Sequence, residues 1–276
     1  MAGRSAAKGL DAGSRAAQIS DMRAERSTHR LFAKEAPTFG PLQNYYVLEP
    51  NLCPYLPGRT ERKLLTEISG PDAQRRYDLL TLAGFRRSHR FAYRPACARC
   101  SACVPVRVVA GRFAPGRSLR RIQRANADLS VEMKPARATA EQFTLFRRYI
   151  ESRHGDGEMA GMAEQEYRSM VEASDIDTRL AEFRAPDGTL LAVCLLDWLA
   201  DGPSAVYSFF EPQEARRSLG TYVVLWLIDA ARQAGAAHVY LGYWIAGSRK
   251  MAYKTRFRPL EGLGDNGWQE LPTEPA

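Results

Sequence analysis

Three cysteines follow one another at intervals of three residues, at Cys97, Cys100 and Cys103. Cys53, from an earlier segment, could join them in the folded chain. Four thiolates suit a tetrahedral zinc ion. The spacing also resembles iron–sulfur ligation, although the fourth cysteine that usually follows is missing from this stretch. The alternative is that reduced thiols pack a turn-rich segment. We therefore expect zinc, an iron–sulfur cluster or packed thiols at these four positions.

A second group of residues could bind an acyl donor at the start of a helix. Residues 217–222 have the sequence Arg-Ser-Leu-Gly-Thr-Tyr. Acetyltransferases that use coenzyme A carry an Arg/Gln-x-x-Gly-x-Gly/Ala loop, whose backbone N–H groups bind pyrophosphate. Gly220 fits this pattern, but Tyr222 stands where a small residue is required, so another acyl donor is favoured. The alternative is an ordinary helix start in which Gly220 only permits close packing.

Basic residues are in excess, and many of them are clustered. The formal net charge is +8 and the sequence pI is about 9.4. This charge suggests an anionic partner such as nucleic acid, although a basic protein without that function is an open alternative. Phe91 and Tyr93 lie within the first cluster, and aromatic side chains can stack on unpaired bases. We predict phosphate contacts from Arg86 and Arg87 in the first cluster and from Arg120, Arg121 and Arg124 in the second.

Composition narrows the class of protein. Hydrophobic residues make up 45% of the chain, which is enough for a folded core. The sequence contains no run of eighteen apolar residues, so we expect no membrane span. Five cysteines are an odd number for a secreted disulfide scaffold. We therefore predict a reducing, cytoplasmic location.

The elements that must position these residues are clearest in the C-terminal half. Turn-forming residues separate three predicted strands, at about 178–185, 189–200 and 204–210. A helix is predicted from Leu219 to Ala234, closed by glycine, and a strand from His238 to Trp244. This order matches the core of the GCN5-related N-acetyltransferase fold, which places an acyl donor where neighbouring strands diverge. Many α+β domains share such an order, so function does not follow from it alone.

The N-terminal half gives shorter signals. A helix is predicted over Pro71–Ala83, strands around residues 91–93 and 104–108, and a basic helix with Ser118 as its N-cap. Farther on, Thr139 and Gln142 fit a capping box, and Gly155 is expected to end the helix that they begin. The predicted fold class is α+β. We divide the chain into a disordered tail (1–40), a basic, cysteine-containing α+β region (41–135) and an acyltransferase-like domain (136–276).

Several motifs in this order resemble the arginyl-tRNA–protein transferase family. The C-terminal ones are Tyr207-Ser208-Phe209-Phe210-Glu211-Pro212, Ser218-Leu219-Gly220-x-Tyr222, Tyr240-Leu241-Gly242-Tyr243-Trp244 and Lys250-Met251-x-Tyr253-Lys254. Cys53-Pro54-Tyr55-Leu56-Pro57-Gly58 and Gly84-Phe85-Arg86-Arg87-Ser88 resemble the bacterial branch, the aspartate/glutamate leucyltransferases. The resemblance covers about residues 44 to 262.

The resemblance implies an activity and its partners. It implies transfer of leucine from Leu-tRNA to proteins that begin with Asp or Glu, which marks them for degradation by the N-degron pathway. Arginine as the transferred residue is the nearest alternative. The nucleic acid is then tRNA. No redox cofactor and no ATP are required, because an aminoacyl-tRNA is an activated ester.

Three positions depart from the family pattern. Eukaryotic relatives carry Asp where Glu211 stands, and many members carry Cys where Ser248 stands, so a thiol cannot act at position 248 here. Relatives also have a Cys-x-x-Cys pair where Cys53 is followed by Leu56. A family metal site is therefore not carried over complete from that pair.

The chemistry assigns roles to the residues of these motifs. The acceptor amine must lose a proton, and the developing oxyanion needs hydrogen-bond donors. We assign Glu211 and Tyr243 as catalytic. Glu211 could accept the amine proton or orient the ribose, and the alternative is a solvated carboxylate that starts a turn before Pro212. Tyr240 and Tyr243 have odd spacing, so in a regular strand they point to opposite faces and at least one of them packs. An acidic acceptor residue needs a buried cation from the segment at 250–256. The expected substrate-binding residues are Tyr207, Ser218, Gly220, Tyr222, Lys250, Tyr253 and Lys254.

Two other classes of protein compete with this interpretation. A coenzyme A-dependent N-acetyltransferase explains the order of elements, but it does not explain Tyr222 or the cysteines. A non-enzymatic RNA-binding protein explains the charge, but it does not explain Gly220 and the ordered C-terminal motifs. Binding of acetyl-CoA would favour the first, and a failure to transfer an amino acid from tRNA would favour the second.

Overall fold

A mixed sheet of eight strands forms the middle of the protein. The computed structural model describes residues 43–154 and 161–272. In chain order the strands are β1 (Tyr46–Val47), β2 (Asn51–Leu52), β3 (Thr60–Glu61), β4 (Lys63–Glu67), β5 (Arg86–Ser88), β6 (Phe91–Pro95), β7 (Val104–Val109), β8 (Ser130–Pro135), β9 (Thr178–Arg184), β10 (Leu190–Leu199), β11 (Gly202–Phe210), β12 (His238–Trp244), β13 (Leu260–Gly264) and β14 (Gly267–Glu270). The α-helices are α1 (Ala73–Leu82), α2 (Arg117–Ala125), α3 (Ala140–His154), α4 (Glu164–Glu172) and α5 (Leu219–Gln233).

The C-terminal half follows the predicted order of elements. β9, β10 and β11 pair antiparallel in succession. After α5, β12 returns parallel to β11. The complete order across the sheet is β14-β13-β7-β12-β11-β10-β9-β8. The chain therefore has the predicted α+β class, with the acetyltransferase-like core in its C-terminal part.

β11 and β12 separate soon after they begin. Ser204 and Tyr240 form the single pair in their register. Farther along, β12 contains a bulge between Tyr240 and Gly242 where it pairs with β7. A bulge adds one residue and bends the strand. The two strands consequently diverge, as the fold class predicts for the site of an acyl donor.

The two faces of the sheet are covered by different helices. Alternate strand residues such as Ala181 and Cys194 pack with α5 and α2 on one face. Their neighbours Leu180 and Val193 pack with α3 and α4 on the other. Side chains alternate between faces along a strand, so the continuous apolar run of β10 fills both layers. A deeply buried thiol in that run, Cys194, belongs to the core as its sequence predicts.

A second, four-stranded sheet has the order β1-β4-β6-β5 and packs with α1 near β12. A buried ion pair ties it to the large sheet: Arg87 on β5 donates two hydrogen bonds to Asp197 on β10, at 2.8 and 2.7 Å. Thr178 also donates to this carboxylate, at 2.8 Å. The two sheets are therefore held together by charge as well as by apolar packing.

The described residues from Asn44 onward form one compact unit. β7 and β8 come from the region before residue 136, and both are strands of the large sheet. The sheet thus takes strands from both sides of the boundary expected at residue 135. The tail expected at 1–40 and Gly155 lie outside the described residues. None of the helices in the described ranges is both long and apolar enough to cross a membrane.

Local signals in the sequence are mostly met. Thr139 and Gln142 form the predicted capping box, each side chain accepting from the other's backbone N–H at 3.2 and 3.0 Å. Gly84 and Gly235 follow α1 and α5 with φ of +84° and +70°. The prediction of Ser118 as an N-cap is wrong, because Gly116 holds that position and α2 begins at Arg117. Ser118 is already inside the first turn.

Candidate functional site

A cavity of about 620 Å³ opens where β11 and β12 diverge. Its wall is formed by β11, the start of α5, part of α3 and a short 3₁₀ turn at Ala252–Arg256. This arrangement brings together most of the residues that the sequence predicts to bind substrate. Those residues are Tyr207, Ser218, Gly220, Lys250, Tyr253 and Lys254.

The guanidinium of Arg86 occupies the gap between the diverging strands. It donates to the carbonyls of Ala205 and Val206 on β11, at 2.7 and 3.3 Å, and to Leu241 on β12, at 3.3 Å. Gly242 makes room for it, because a Cβ at that position would overlap the guanidinium. The sequence predicts a phosphate contact for Arg86. In the structure its donors bind backbone carbonyls at the inner end of the cavity.

Lys254 is a buried basic residue in the segment at 250–256, where the sequence predicts a cation for the acceptor. Its side chain is almost fully enclosed, and its Nζ donates to the carbonyl of Tyr243. Burial, together with the nearby charge of Arg86, lowers the pKa of Lys254 to about 7. Lys250, by contrast, is exposed at the cavity wall. The two lysines therefore have different surroundings, Lys254 in the interior and Lys250 in contact with solvent.

The start of α5 combines a strained residue, Ser218, with a glycine, Gly220, that packs closely against β11. Ser218 precedes it in the left-handed conformation, with φ of +52°, and its side chain does not cap the helix. A non-glycine residue in this region carries strain of about 1–2 kcal/mol. A Cβ on Gly220 would lie 2.8 Å from the ring of Phe210, so this glycine permits close packing as well as lining the cavity.

Tyr222 does not narrow the cavity. Its ring lies at 72° to Phe183, with centroids 5.9 Å apart, on the side of α5 that faces the sheet core. Tyr207 is on the cavity wall instead. Burial raises the pKa of Tyr207, and neighbouring Tyr149 adds a smaller effect. Its phenol therefore stays protonated at neutral pH and can donate a hydrogen bond.

The carboxylate of Glu211, which the sequence predicts to be catalytic, is paired within the protein. Its carboxylate pairs with Arg148 on α3, at 2.8 Å, and accepts from the backbone N–H of Gln213 at 3.3 Å. It lies between two cavity residues, Phe210 and Pro212, but is not itself among those that line the cavity. In this state it caps the turn after β11 and fixes α3 against it.

Tyr243 is placed between the two sheets. Its hydroxyl is within hydrogen-bond distance of the carbonyls of Gly84 and Tyr93, at 2.9 and 3.1 Å. The bulge in β12 puts Tyr240 and Tyr243 on the same face, toward the smaller sheet, rather than on opposite faces as a regular strand predicts. The phenol of Tyr243 thus faces away from the cavity, while its backbone carbonyl holds Lys254.

The arginines expected at the tRNA are split between interior and surface. Arg87 is 4% exposed and paired with Asp197, so it cannot reach a phosphate. Arg120, Arg121 and Arg124 are exposed on α2, whose buried face consists of Leu119 and Ile122. Arg256, from the cavity's 3₁₀ turn, approaches Ser118 of the same helix at 3.5 Å. The surface of α2 therefore adjoins the cavity.

The four N-terminal cysteines are close enough to influence one another. Burial and the nearby thiols of Cys53, Cys97 and Cys100 raise the pKa of Cys103 to about 11. Across residues 43–154 and 161–272, no three Cys, His, Asp or Glu side chains are arranged to hold a metal ion. Zinc or an iron–sulfur cluster at these thiols stays a prediction, and no step of the chemistry is assigned to one.

Models of the arginine-tRNA-protein transferase family match the chain in two blocks. The model for the N terminus of that family matches residues 51–121, and the model for its C terminus matches residues 141–264. The two matches together cover more than half of the chain. The chain belongs to this family. It is therefore an aminoacyltransferase, and the family's substrates are an aminoacyl-tRNA and a protein.

Curated relatives of the transferase are similar over most of their length. The aspartate/glutamate leucyltransferase of Paramagnetospirillum magneticum is 56% identical over 82% of this chain and 93% of the relative. The one from Parvibaculum lavamentivorans is 56% identical over 83% and 95%. Among solved structures the transferase is similar to FemX, with a TM-score of 0.43 and 9% identity over 76% of this chain and 81% of that chain.

Two cavity residues of the transferase were missed from its sequence. Tyr149 and Arg153 line the cavity from α3, and the Arg153 guanidinium lies 5.7 Å from the centre of the Phe210 ring. Their spacing of four residues puts them on one helical face, which is the signal that was available. The direction of that face depends on how α3 packs, and the sequence does not give this.

Proposed function

We propose that this transferase moves leucine from Leu-tRNA to the N-terminal Asp or Glu of acceptor proteins. One observation carries the proposal. The cavity is lined by four basic side chains, Arg86, Arg153, Lys250 and Lys254, and by one acidic side chain, Glu214. Glu214 is itself paired with Arg217 at 3.2 Å. A cavity with this charge suits an acceptor that brings a carboxylate next to its amine.

The cavity wall beside the start of α5 is apolar, which supports a small apolar aminoacyl group. Leu219, Val223, Val224 and Leu241 line the wall beside the start of α5. The relatives named above are leucyltransferases, which supports leucine rather than arginine as the transferred residue. A cationic arginine side chain would have to enter a cavity that already carries excess positive charge, and like charges disfavour that.

The reaction asks the protein mainly to position two substrates. The acceptor amine attacks the ester carbonyl of the aminoacyl-tRNA, and the ribose oxygen leaves. Holding amine and ester together replaces a bimolecular encounter. The ester is already activated, so ATP and a redox cofactor are not needed. The product carries an N-terminal leucine, and we propose that it is degraded through the N-degron pathway in the cytoplasm.

The structure gives a reason to prefer tRNA over coenzyme A as the donor. In acetyltransferases of this fold the acyl donor lies between the diverging strands, and here the guanidinium of Arg86 bridges β11 and β12 at the cavity wall. Removing this guanidinium would leave three backbone carbonyls, those of Ala205, Val206 and Leu241, without their hydrogen bonds to it. The donor must therefore approach from the open side of the cavity, where α2 presents exposed arginines.

The test supplies the protein with charged tRNAs and defined peptides. Leucyl-tRNA, arginyl-tRNA and acetyl-CoA are offered separately with peptides that begin with Asp, Glu, Asn, Gln or Ala. We expect leucine on the Asp and Glu peptides, and much slower reaction with their amides, because an amide lacks the charge that the cavity attracts. Mass spectrometry of the peptides reports donor and acceptor together.

Three outcomes would contradict the proposal. Equal rates for the Glu and Gln peptides would remove the charge argument. Transfer of arginine instead of leucine would establish the arginyl alternative. Acetylation from acetyl-CoA would show that the strand gap is open to that donor.

A further inference from the structure

Lys254 has an unusual environment for a lysine. Its side chain is 6% exposed, and its Nζ donates to the backbone carbonyl of Tyr243. Within the described ranges no carboxylate forms an ion pair with it, whereas Lys63 and Lys134 each pair with a glutamate at 2.8 Å. Lys254 nevertheless lines the cavity. It is thus a buried amine, without a counter-ion, beside the space in which an acceptor amine would react.

In the described residues no carboxylate pairs with Nζ, and the neutral groups that approach it are the carbonyl of Tyr243 and the ring of Tyr253. Arg86 on β5 faces it with the same charge. Tyr253, in the same 3₁₀ turn, lies 5.9 Å from Nζ by its ring centre. Burial raises the pKa of Tyr243, so its phenol stays neutral near pH 7. A lysine in such a place sheds its proton more readily than one in water.

We propose that Lys254 is a catalytic residue whose Nζ accepts a proton from the α-ammonium of the acceptor, and that Arg86, which lines the same cavity, is a positioning residue for it. The inference rests on the proposed function, and it deepens it by naming the proton acceptor. Lys254 was expected from the sequence to be a cation for the acceptor's carboxylate. The exposed Lys250 and Arg153 on the same wall are available for that carboxylate instead.

The step balances without another reactant. The neutral Nζ of Lys254 takes one proton from the α-ammonium, and the freed amine forms a bond to the ester carbonyl carbon. The bond between that carbon and the ribose oxygen then breaks. The ribose oxygen takes up the second amine proton and leaves as a hydroxyl. Lys254 returns its proton to solvent, so one peptide bond, one hydroxyl and one proton are formed.

Direct titration tests the state of Lys254 without any substrate. In protein carrying ¹³C-labelled lysine, the ε-carbon shift is followed against pH, and the Lys254 signal is assigned by its loss in Lys254→Met. We expect a midpoint near 7 for Lys254. In Arg86→Gln, which removes the neighbouring charge, this midpoint should move up. A midpoint near the ordinary value of about 10.4 in the wild-type protein would overturn the inference.

Transfer kinetics distinguish a proton acceptor from a binding cation. Under single-turnover conditions with leucyl-tRNA and a Glu peptide, Lys254→Met and Lys254→Arg should both lower the rate at saturating acceptor by about 100-fold or more. Arginine keeps the charge but does not give up its proton. Lys134→Met, on the far edge strand β8, is the matched lysine control and should keep the wild-type rate.

Specific results would refute the role. If Lys254→Arg transfers as fast as wild type, or if Lys254→Met raises the acceptor KM and leaves the saturated rate unchanged, Lys254 is a carboxylate-binding cation. In Arg86→Gln, the acidic limb of the rate profile should move up with the titration midpoint of Lys254, and an unmoved limb would also refute the role. Melting temperatures establish that each variant is folded. Failure of the wild-type protein to transfer any amino acid would instead overturn the proposed function itself.

Discussion

Gly242 shows how one missing side chain shapes the cavity. It lies in β12 with φ of +74°, a conformation that disfavours any residue with a Cβ. The space that a Cβ would occupy is taken by the guanidinium of Arg86. The backbone conformation and the position of the half-buried arginine therefore depend on the same glycine.

A pair of glycine-to-alanine substitutions separates the effect of backbone strain from the effect of displacing Arg86. Gly188, in the turn between β9 and β10, also has positive φ, of +88°, but nothing lies within 4 Å of its Cβ position. We expect Gly188→Ala to lose about 1–2 kcal/mol of stability from backbone strain alone and to keep its transfer rate. Gly242→Ala should lose more stability and most of its transfer, because Arg86 must move. Urea unfolding and single-turnover transfer measure both effects, and equal behaviour of the two variants would contradict this account.

Among the elements, β5 is held in place by Arg87, for which the sequence predicts a contact with tRNA phosphate. Arg87 is buried with Asp197, and removing one partner of such a pair leaves the other charged and uncompensated. We expect Arg87→Met to lose about 3–5 kcal/mol of unfolding free energy. Where the variant is folded, its tRNA affinity should match wild type, because Arg87 is out of reach of phosphates.

The neighbouring exposed arginine is the matched control. Arg90 lies 3.9 Å from Glu67 with a side chain that is 55% exposed. Loss of an exposed pair changes stability by at most about 1 kcal/mol. Arg90→Met should therefore melt close to wild type. A large loss of tRNA affinity in folded Arg87→Met would show instead that β5 meets the tRNA.

Elements with a strong local pattern were predicted well from the sequence. The strand predicted at His238–Trp244 has those bounds in the structure, and the helix predicted at Leu219–Ala234 ends one residue earlier. Their boundaries are set by glycines, turn residues and the change of apolar period, all of which are local. Ser218, Gly220 and Lys254 belong to motifs attached to those elements and line one cavity in the structure, while their role in substrate binding stays a prediction.

Features that depend on distant contacts were not predictable in this way. The bulge that turns Tyr243 away from the cavity exists because β12 pairs with β7, far away in the sequence. The sequence predicts a phosphate contact for Arg86. Its actual partners are carbonyls of β11 and β12, which lie more than 100 residues away along the chain, so the residues next to Arg86 do not indicate them. An arginine that contacts phosphates and one that binds carbonyls have the same sequence signature, and only packing distinguishes them.

Over the whole molecule, the exposed positive charge of α2 adjoins the cavity. Arg117, Arg120, Arg121 and Arg124 are exposed, and Arg256 connects this surface to the cavity's 3₁₀ turn. No acidic side chain forms an ion pair with the arginines of α2 among the described residues, whereas Arg147 and Arg168 pair with glutamates on their own helices. Free cations at this place suit the phosphates next to the tRNA acceptor end.

Salt dependence measures how many phosphates these arginines bind. Changing Arg120, Arg121 and Arg124 to Ala should reduce the slope of log affinity against log salt by about 0.7–0.9 for each phosphate that is no longer neutralised. The control, Arg147→Ala with Arg168→Ala, removes exposed arginines from α3 and α4 and should leave the slope unchanged. Filter binding at several salt concentrations gives both slopes. If the control variant reduces the slope more than the α2 variant does, the tRNA binds on the opposite face of the sheet, beside α3 and α4.

β7 lies in the interior of the large sheet, yet both of its partners, β12 and β13, come from the far end of the chain. During synthesis β7 emerges from the ribosome long before either partner strand has been made. During that interval both edges of an apolar strand remain unpaired, and unpaired edges can add strands from other chains. Pairing of this kind is also slow, because a long loop must close before the strands can meet. The nascent protein therefore needs protection until its last strands emerge, and a chain cut short before β12 would leave β7 as a site for aggregation.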